Sequence, residues 1–215
     1  MNPTCDACSG KFCRSGNLTD APKNCPSLAV TKEETIARYS KEELHPFIES
    51  ARVEAAGYCR QTRVEEIMEY ARRCGYCKLG VAFCAGFADE AAIFCKILRA
   101  NGFEVASVCC KNGSVSKEEF GLKPEELVRK GEKYEPICNP AGQAYYLDEA
   151  GSELSIILGL CVGHDTTFIK HSKAPVTVLS TKDRVTGHNA LAPLYCADGY
   201  FKSRFFPHKF LCSEN

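Results

Sequence analysis

Four short apolar runs, at residues 79–83, 103–108, 154–160 and 176–180, alternate with segments of helical periodicity, and this alternation limits the fold more than any other feature of the chain. Helical signals fall at residues 89–100, where Ala91, Ala92, Cys95 and Leu98 share a face ahead of Asn101-Gly102, at residues 140–150 ahead of Gly151, and at residues 164–171. Apolar strands joined by helices pair in parallel and are covered on both sides. The expected class is therefore α/β, a parallel sheet of about four strands with helices on both faces. Right-handed crossovers give the strand order 2-1-3-4, with the switch point between the first and third strands. Upstream, Val64, Ile67, Met68 and Ala71 form the stripe of an amphipathic helix that stops at Gly75, and Thr31 precedes an acidic first turn at Glu33 and Glu34. Ser116 with Glu119 reads as a capping box, and Pro124 as the opening of one more helical stretch.

Residues 1–30 follow a different rule. Cys5, Cys8, Cys13 and Cys25 sit among Pro3, Gly10, Gly16, Pro22 and Pro26, with almost no apolar periodicity. Such a stretch cannot fold around its own core. The chain therefore divides into a cysteine-rich metal-binding segment, residues 1–30, and an α/β domain with a helical N-terminal part, residues 31–215. The spacing C-x2-C-x4-C-x11-C supplies four thiolates, enough for a [4Fe–4S] cluster or a tetrahedral Zn2+ site. Pro26 directly after Cys25 matches the Cys-Pro ending of bacterial ferredoxin runs, which favours iron–sulfur, and only one CxxC pair is present where zinc ribbons carry two.

Cysteine is the compositional outlier, 15 of 215 residues, whereas 45% hydrophobic and 25% charged residues are ordinary for globular proteins and exclude a disordered chain, a collagen and a coiled coil. Twenty-seven basic and 27 acidic residues cancel to +0, so neither nucleic acid nor membrane is an expected partner. The opening MNPTCDACSG has no basic and apolar leader pattern, and no run approaches the roughly 18 apolar residues of a membrane span. A cytoplasmic, reducing location is the expectation, with thiols kept for metal or redox chemistry.

The remaining thiols gather at strand ends. Cys84 closes the first run, Cys109 and Cys110 the second, and Cys161 the third, just ahead of Gly163-His164-Asp165; the fourth run leads into Lys182-Asp183-Arg184 and Gly187-His188-Asn189. These are the carboxyl ends, where open α/β sheets bind ligands. A second cluster or metal is expected at Cys84, Cys109 or Cys110, and Cys161, with Cys138 as a further ligand. His164, Asp165 and His188 are the candidate catalytic groups, and Lys182, Arg184 and Asn189 the candidate substrate-binding ones. A metal-free thiol site with Cys161 activated by His164 is the weaker form of the same idea. Cys59, Cys95, Cys196 and Cys212 read as packing residues. Cys74-Gly75-Tyr76-Cys77 has redox spacing but lies at the amino edge, away from the other thiols. Phosphate-loop, dinucleotide, HExxH and GxSxG motifs are absent from the sequence, which removes the nucleotide-binding and standard hydrolase readings.

The stretches CDACSGKFCRSG, APKNCP, AFCAGF, SVCCK, CNPAGQA, GLCVGHDTTFIKHSKAPVTVL and KDRVTGHN together resemble a cysteine-rich prokaryotic family of unknown function, common in anaerobic bacteria and archaea and labelled metal-binding. Cys5, Cys8, Cys13, Cys25, Cys84, Cys109, Cys110, Cys138 and Cys161 match its cysteines, and His164, Asp165, Lys182, Asp183, Arg184, His188 and Asn189 its polar positions. The resemblance implies metal binding and no established reaction. Two function classes follow. One is an enzyme of sulfur-transfer or reductive chemistry on a small or sulfur-containing molecule, and the other a closed zinc or cluster module for storage, delivery or sensing. Oligomeric state leaves no mark in the sequence.

Overall fold

The computed structural model describes residues 2–206, and the chain divides into two compact units between Cys59 and Arg60. The composition shift near residue 30 falls inside the first of them. That unit holds three helices, α1 (Phe12–Ser15), α2 (Lys32–Ile36) and α3 (Lys41–Gly57), with single 3-10 turns at Cys5–Ala7 and Pro26–Leu28. Thr31 with Glu34 and Ser40 with Glu43 cap α2 and α3 reciprocally, each hydroxyl taking a backbone N–H while the glutamate takes one back. No residue from 2 to 40 is buried, and in α3 only Glu49, Val53 and Gly57 are. Local capping shapes these helices, and an apolar core does not.

The second unit is built the opposite way. Helix α4 (Arg63–Cys74) starts at a third capping box, Thr62 with Glu65, buries Ile67, Met68 and Ala71, and ends on Gly75 in the left-handed region. Then come β1 (Lys78–Phe83), α5 (Ala88–Ala100), β2 (Glu104–Cys109), α6 (Pro140–Glu149), β3 (Leu154–Leu160), α7 (His164–His171), β4 (Val176–Thr181), and the short α8 (Ala192–Tyr195) and α9 (Lys202–Phe205). The sheet order is β2-β1-β3-β4 and every pairing is parallel, as the alternation predicts. Successive strand residues face opposite sides. Leu79, Val81, Leu154 and Ile156 pack on α4 and α5, whereas Ala82, Ile157 and Leu160 pack on α6 and α7 through Ala144, Leu147 and Phe168. β3 is buried at every position, as a central parallel strand must be.

Residues 111–139 differ from the expected helical stretch. They hold only 3-10 turns at Lys117–Phe120 and Pro124–Glu126, and Ser116 accepts from the Glu118 N–H with no reciprocal bond from Glu119. Of the apolar residues here only Leu127 is buried, so no helical face has anything to pack against. A partly buried ion pair of Lys117 with Glu135 and a bridge between Ser116 and Pro136 hold the segment as a loop. Two of the expected packing cysteines are likewise exposed: Cys59 in a left-handed turn after α3 and Cys196 at the end of α8; Cys95 is buried, and Cys212 lies outside the described residues. Among the described residues no helix is long and apolar enough to cross a membrane.

Candidate functional site

Register brings the first two thiols together. The last β1–β2 partners are Phe83 and Cys109, so one residue further on Cys84 and Cys110 emerge side by side at the carboxyl edge. Neighbouring strands stand about 4.8 Å apart, within reach of two short side chains. The Cys110 N–H donates to the Phe83 carbonyl at 2.8 Å and the Cys84 N–H to the Leu158 carbonyl at 3.1 Å, so the ladders extend into the site. Cys110 is 1% exposed, and its Sγ accepts from the Ala85 N–H at 3.3 Å.

A clasp brings in the third. The Asn112 side-chain amide donates to the carbonyls of Cys109 and Asn139 at 3.0 and 2.9 Å, and that of Asn139 donates to Asn112 Oδ1 at 3.0 Å. The Asn139 N–H donates to the Cys110 carbonyl at 2.7 Å. Closed this way, the loop seats half-buried Cys138 with its Sγ 3.8 Å from Cys110 Sγ. The run Cys138-Asn139-Pro140-Ala141-Gly142-Gln143 now has a physical reading. Asn139 caps α6 through the Gly142 N–H, Pro140 occupies the first turn, and any side chain at Gly142 would run into Asn112 and Asn139. Buried Gln143 donates to the Phe83 and Val108 carbonyls, tying together the strand ends beneath Cys84 and Cys110.

Charge is unevenly shared among these sulfurs. Cys110 keeps its proton, pushed upward by its hydrogen bonds to Cys138 and Cys84 and by burial. Cys84 drops to about 5 through its bond to Cys110, helped by the Gly86 N–H and the Lys182 ammonium. Cys138 drops to about 3, again through Cys110, then through His164 and Lys111. The Cys138 sulfur in turn lifts His164 above its ordinary value. The arrangement is one buried thiol between two thiolates, each with its own cations, which spares the site the repulsion that three bare thiolates would create.

The β3–β4 side contributes differently. β3 runs past its last β1 pairing, Phe83 with Leu158, through Gly159 and Leu160, so Cys161 stands two residues beyond the level of Cys84. Its Sγ accepts from Arg184 at 3.3 Å. Gly159 has φ +68 and a Cβ there would collide with the Phe87 ring; that ring carries Lys182 Nζ 4.3 Å from its centroid and the His188 ring at 4.4 Å. His188 Nδ1 accepts from the Asp183 N–H at 3.1 Å, leaving Nε2 to carry the ring proton. The Asp165 carboxylate is occupied by the Gly163 and Thr166 N–H groups and organises its loop. Asn189 acts through its backbone, accepting from the Thr186 hydroxyl. Thus Cys84, Cys110, Cys138, His164 and Lys182 assemble, Cys109 packs beside them against the same apolar cluster, and Cys161 pairs with Arg184. Lys111, Phe87, Gly159 and the two asparagines were not singled out from the sequence. Their signal was proximity in the chain to Cys84, Cys110, Cys138 or, for Gly159, Cys161.

In the first unit, Cys5, Cys8, Cys13 and Cys25 all line one cavity of about 160 Å³ together with Lys11 and Phe12. Asn24 donates to the Asn2 carbonyl and the Thr4 hydroxyl at 3.1 and 2.9 Å, which brings the Cys25 end of the segment back to Cys5. Among the described residues no group of three or more His, Cys, Asp or Glu side chains is drawn together so as to hold a metal ion.

Residues 25–179 match a family described as a protein of unknown function, DUF1847. An uncharacterised protein of Methanocaldococcus jannaschii is 45% identical over 192 residues, spanning 89% of this chain and 93% of that protein. The chain belongs to the DUF1847 family. The DUF1847 match includes Cys84, Cys110, Cys138, Cys161 and His164, and it ends ahead of Lys182, Arg184 and His188.

Proposed function

We propose that the four N-terminal cysteines hold an iron–sulfur cluster, and that the sheet edge carries out thiolate-based sulfur-transfer or reductive chemistry on a small sulfur-containing molecule. The observation that carries the cluster is the convergence of Cys5, Cys8, Cys13 and Cys25 on one cavity. A lone Zn2+ with bonds near 2.3 Å draws four sulfurs to about 3.8 Å of one another and leaves no void. A cavity of about 160 Å³ is roughly tenfold what one water requires, which suits a multi-atom cluster better than an ion. The lack of any buried residue from 2 to 40 supports the same reading, because metal binding then supplies the ordering energy that a core would. Four thiolate ligands close all four iron corners of a cubane. That observation favours a carrier or sensor role for the cluster itself, and leaves bond-making to the sheet edge.

Oxygen-free purification followed by iron, sulfide and zinc counts and an absorption spectrum is the test. About four irons and four sulfides per chain, with broad absorption near 400 nm, is the expected result. Zinc alone would replace the cluster by a structural ion, and neither metal would end the reading. A metal count that falls in Cys84→Ser while the N-terminal centre stays intact would add a second centre at the sheet edge, with Cys84, Cys110 and Cys138 among its ligands.

A further inference from the structure

We propose that Cys138 and Cys110 are the nucleophile and the resolving thiol of a two-electron couple that cleaves the S–S bond of a small disulfide or persulfide. This deepens the sheet-edge reading above and does not depend on the N-terminal cluster. Four observations carry it. The two sulfurs are 3.8 Å apart, so a bond of about 2.05 Å requires a shift of under 2 Å that side-chain rotation supplies. Their exposure is unequal: Cys138 is half-buried at the edge and Cys110 is 1% exposed, so an incoming molecule meets Cys138 first and Cys110 only answers. Cationic side chains flank the sulfurs, with His164 and Lys111 hydrogen-bonded to Cys138 and Lys182 to Cys84. The Asn112–Asn139 clasp ties together the two backbones that carry these sulfurs, which holds the pair in register.

The Cys138 thiolate attacks one sulfur of R–S–S–R′, forming Cys138–S–S–R and expelling R′S−, which takes the proton of the His164 imidazolium. Cys110 gives its proton to the neighbouring Cys84 thiolate and attacks Cys138 Sγ. The Cys110–Cys138 disulfide forms and RS− leaves, protonated in turn by the Cys84 thiol. Two electrons pass from the thiol pair to the substrate, and the products are RSH and R′SH. The Ala85 N–H, already on Cys110 Sγ, stabilises that sulfur while it is anionic. With a persulfide, R′ is hydrogen and the released group is hydrogen sulfide. An added dithiol such as dithiothreitol restores the pair.

The test uses the full chain, purified without oxygen, reduced and desalted. One portion receives 2-hydroxyethyl disulfide and another glutathione persulfide, and the products are read by intact mass and peptide mapping. The expected result is a Cys110–Cys138 bridge with release of about one equivalent of thiol pair or sulfide per chain, at least tenfold faster than free cysteine reacts under the same conditions. The faster arm identifies the physiological kind of S–S bond. Cys110→Ser should trap a mixed disulfide on Cys138, and Cys138→Ser should abolish the bridge, both with unchanged circular dichroism. Mapping that places the first adduct on another cysteine, or wild-type kinetics in Cys138→Ser, would overturn the couple. Because wild-type mapping decides it, a variant that misfolds does not rescue it. Iron and sulfide counted on the same sample separate its failure from failure of the cluster, and iron lost from Cys84→Ser points to a metal centre in its place.

Discussion

The two cysteine groups of this chain reach convergence by opposite routes. Cys5, Cys8, Cys13 and Cys25 are neighbours in sequence, brought round one cavity by tight turns in a stretch with no buried residue. Cys84, Cys110 and Cys138 are far apart in sequence and meet because strand register and a side-chain clasp deliver them to one edge. On the reading proposed above, the first group owes its order to what it binds. The second is imposed by a packed sheet whether or not anything binds. A thiol group of the first kind is therefore coupled to stability, and one of the second kind is free to be spent on chemistry.

The largest expected effect tests the comparison at the metal proposed for the first group. Removing metal completely with a chelator should open residues 1–40 to a protease while the sheet unit remains resistant, seen as a stable fragment beginning near α4. Resistance throughout would mean that the N-terminal segment does not owe its order to a ligand.

The next effect sharpens the electrostatic contrast. A thiol whose folded value is depressed stabilises the fold above its unfolded value, and loses that contribution as pH falls through the folded one. For Cys138 the fall is at about 3 and for Cys84 at about 5. His164, raised by Cys138, has the opposite sign: its contribution is full at low pH and disappears as pH rises through the elevated value. The thiolate–imidazolium pair thus exists between those limits. Alkylation of Cys138 should change little between pH 6 and pH 8, where an ordinary thiol of pKa about 8.5 gains roughly 75-fold in thiolate. His164→Gln should move the Cys138 midpoint up by about one unit. An ordinary profile for Cys138 in the wild type would remove the contrast.

The smallest effect probes the clasp. Gly142→Ala puts a methyl where Asn112 and Asn139 lie, and should cost about 2 kcal/mol in denaturant unfolding of the sheet unit. It should also slow the Cys110–Cys138 bridging more than it slows alkylation of Cys138, because only the former needs both sulfurs held together. Equal slowing would argue for plain destabilisation.

How much of this was legible follows from the physics of each signal. The strands, their order and the carboxyl-edge position of Cys84, Cys110 and Cys161 were readable because apolar runs and topology rules are local or combinatorial. The choice between Cys109 and Cys110 was not, since it turns on which face an edge residue presents after its last pairing. Cys161 was read beside Cys84 from strand ends alone. The unequal lengths of β1 and β3, and the left-handed Gly159, place it further along and beside Arg184. Lys111 and Asn139 stand out in no sequence pattern. Their partners lie across a loop and leave no periodic trace. The helical reading of residues 116–126 failed because a cap and a proline start a helix only where there is a core to pack on.

That loop has a consequence of its own. The clasp joins Asn112 to Asn139, 27 positions apart, and the Lys111 ammonium donates to the Pro136 carbonyl at 2.6 Å, so the excursion is pinched off at its neck. Chain added or removed at its tip changes closure entropy slowly, by about 0.6 kcal/mol per doubling of length, and leaves the neck where it is. The outer loop is in this sense a replaceable module. It can be lengthened, shortened or exchanged to suit a different visitor, while Cys138 stays seated over Cys110.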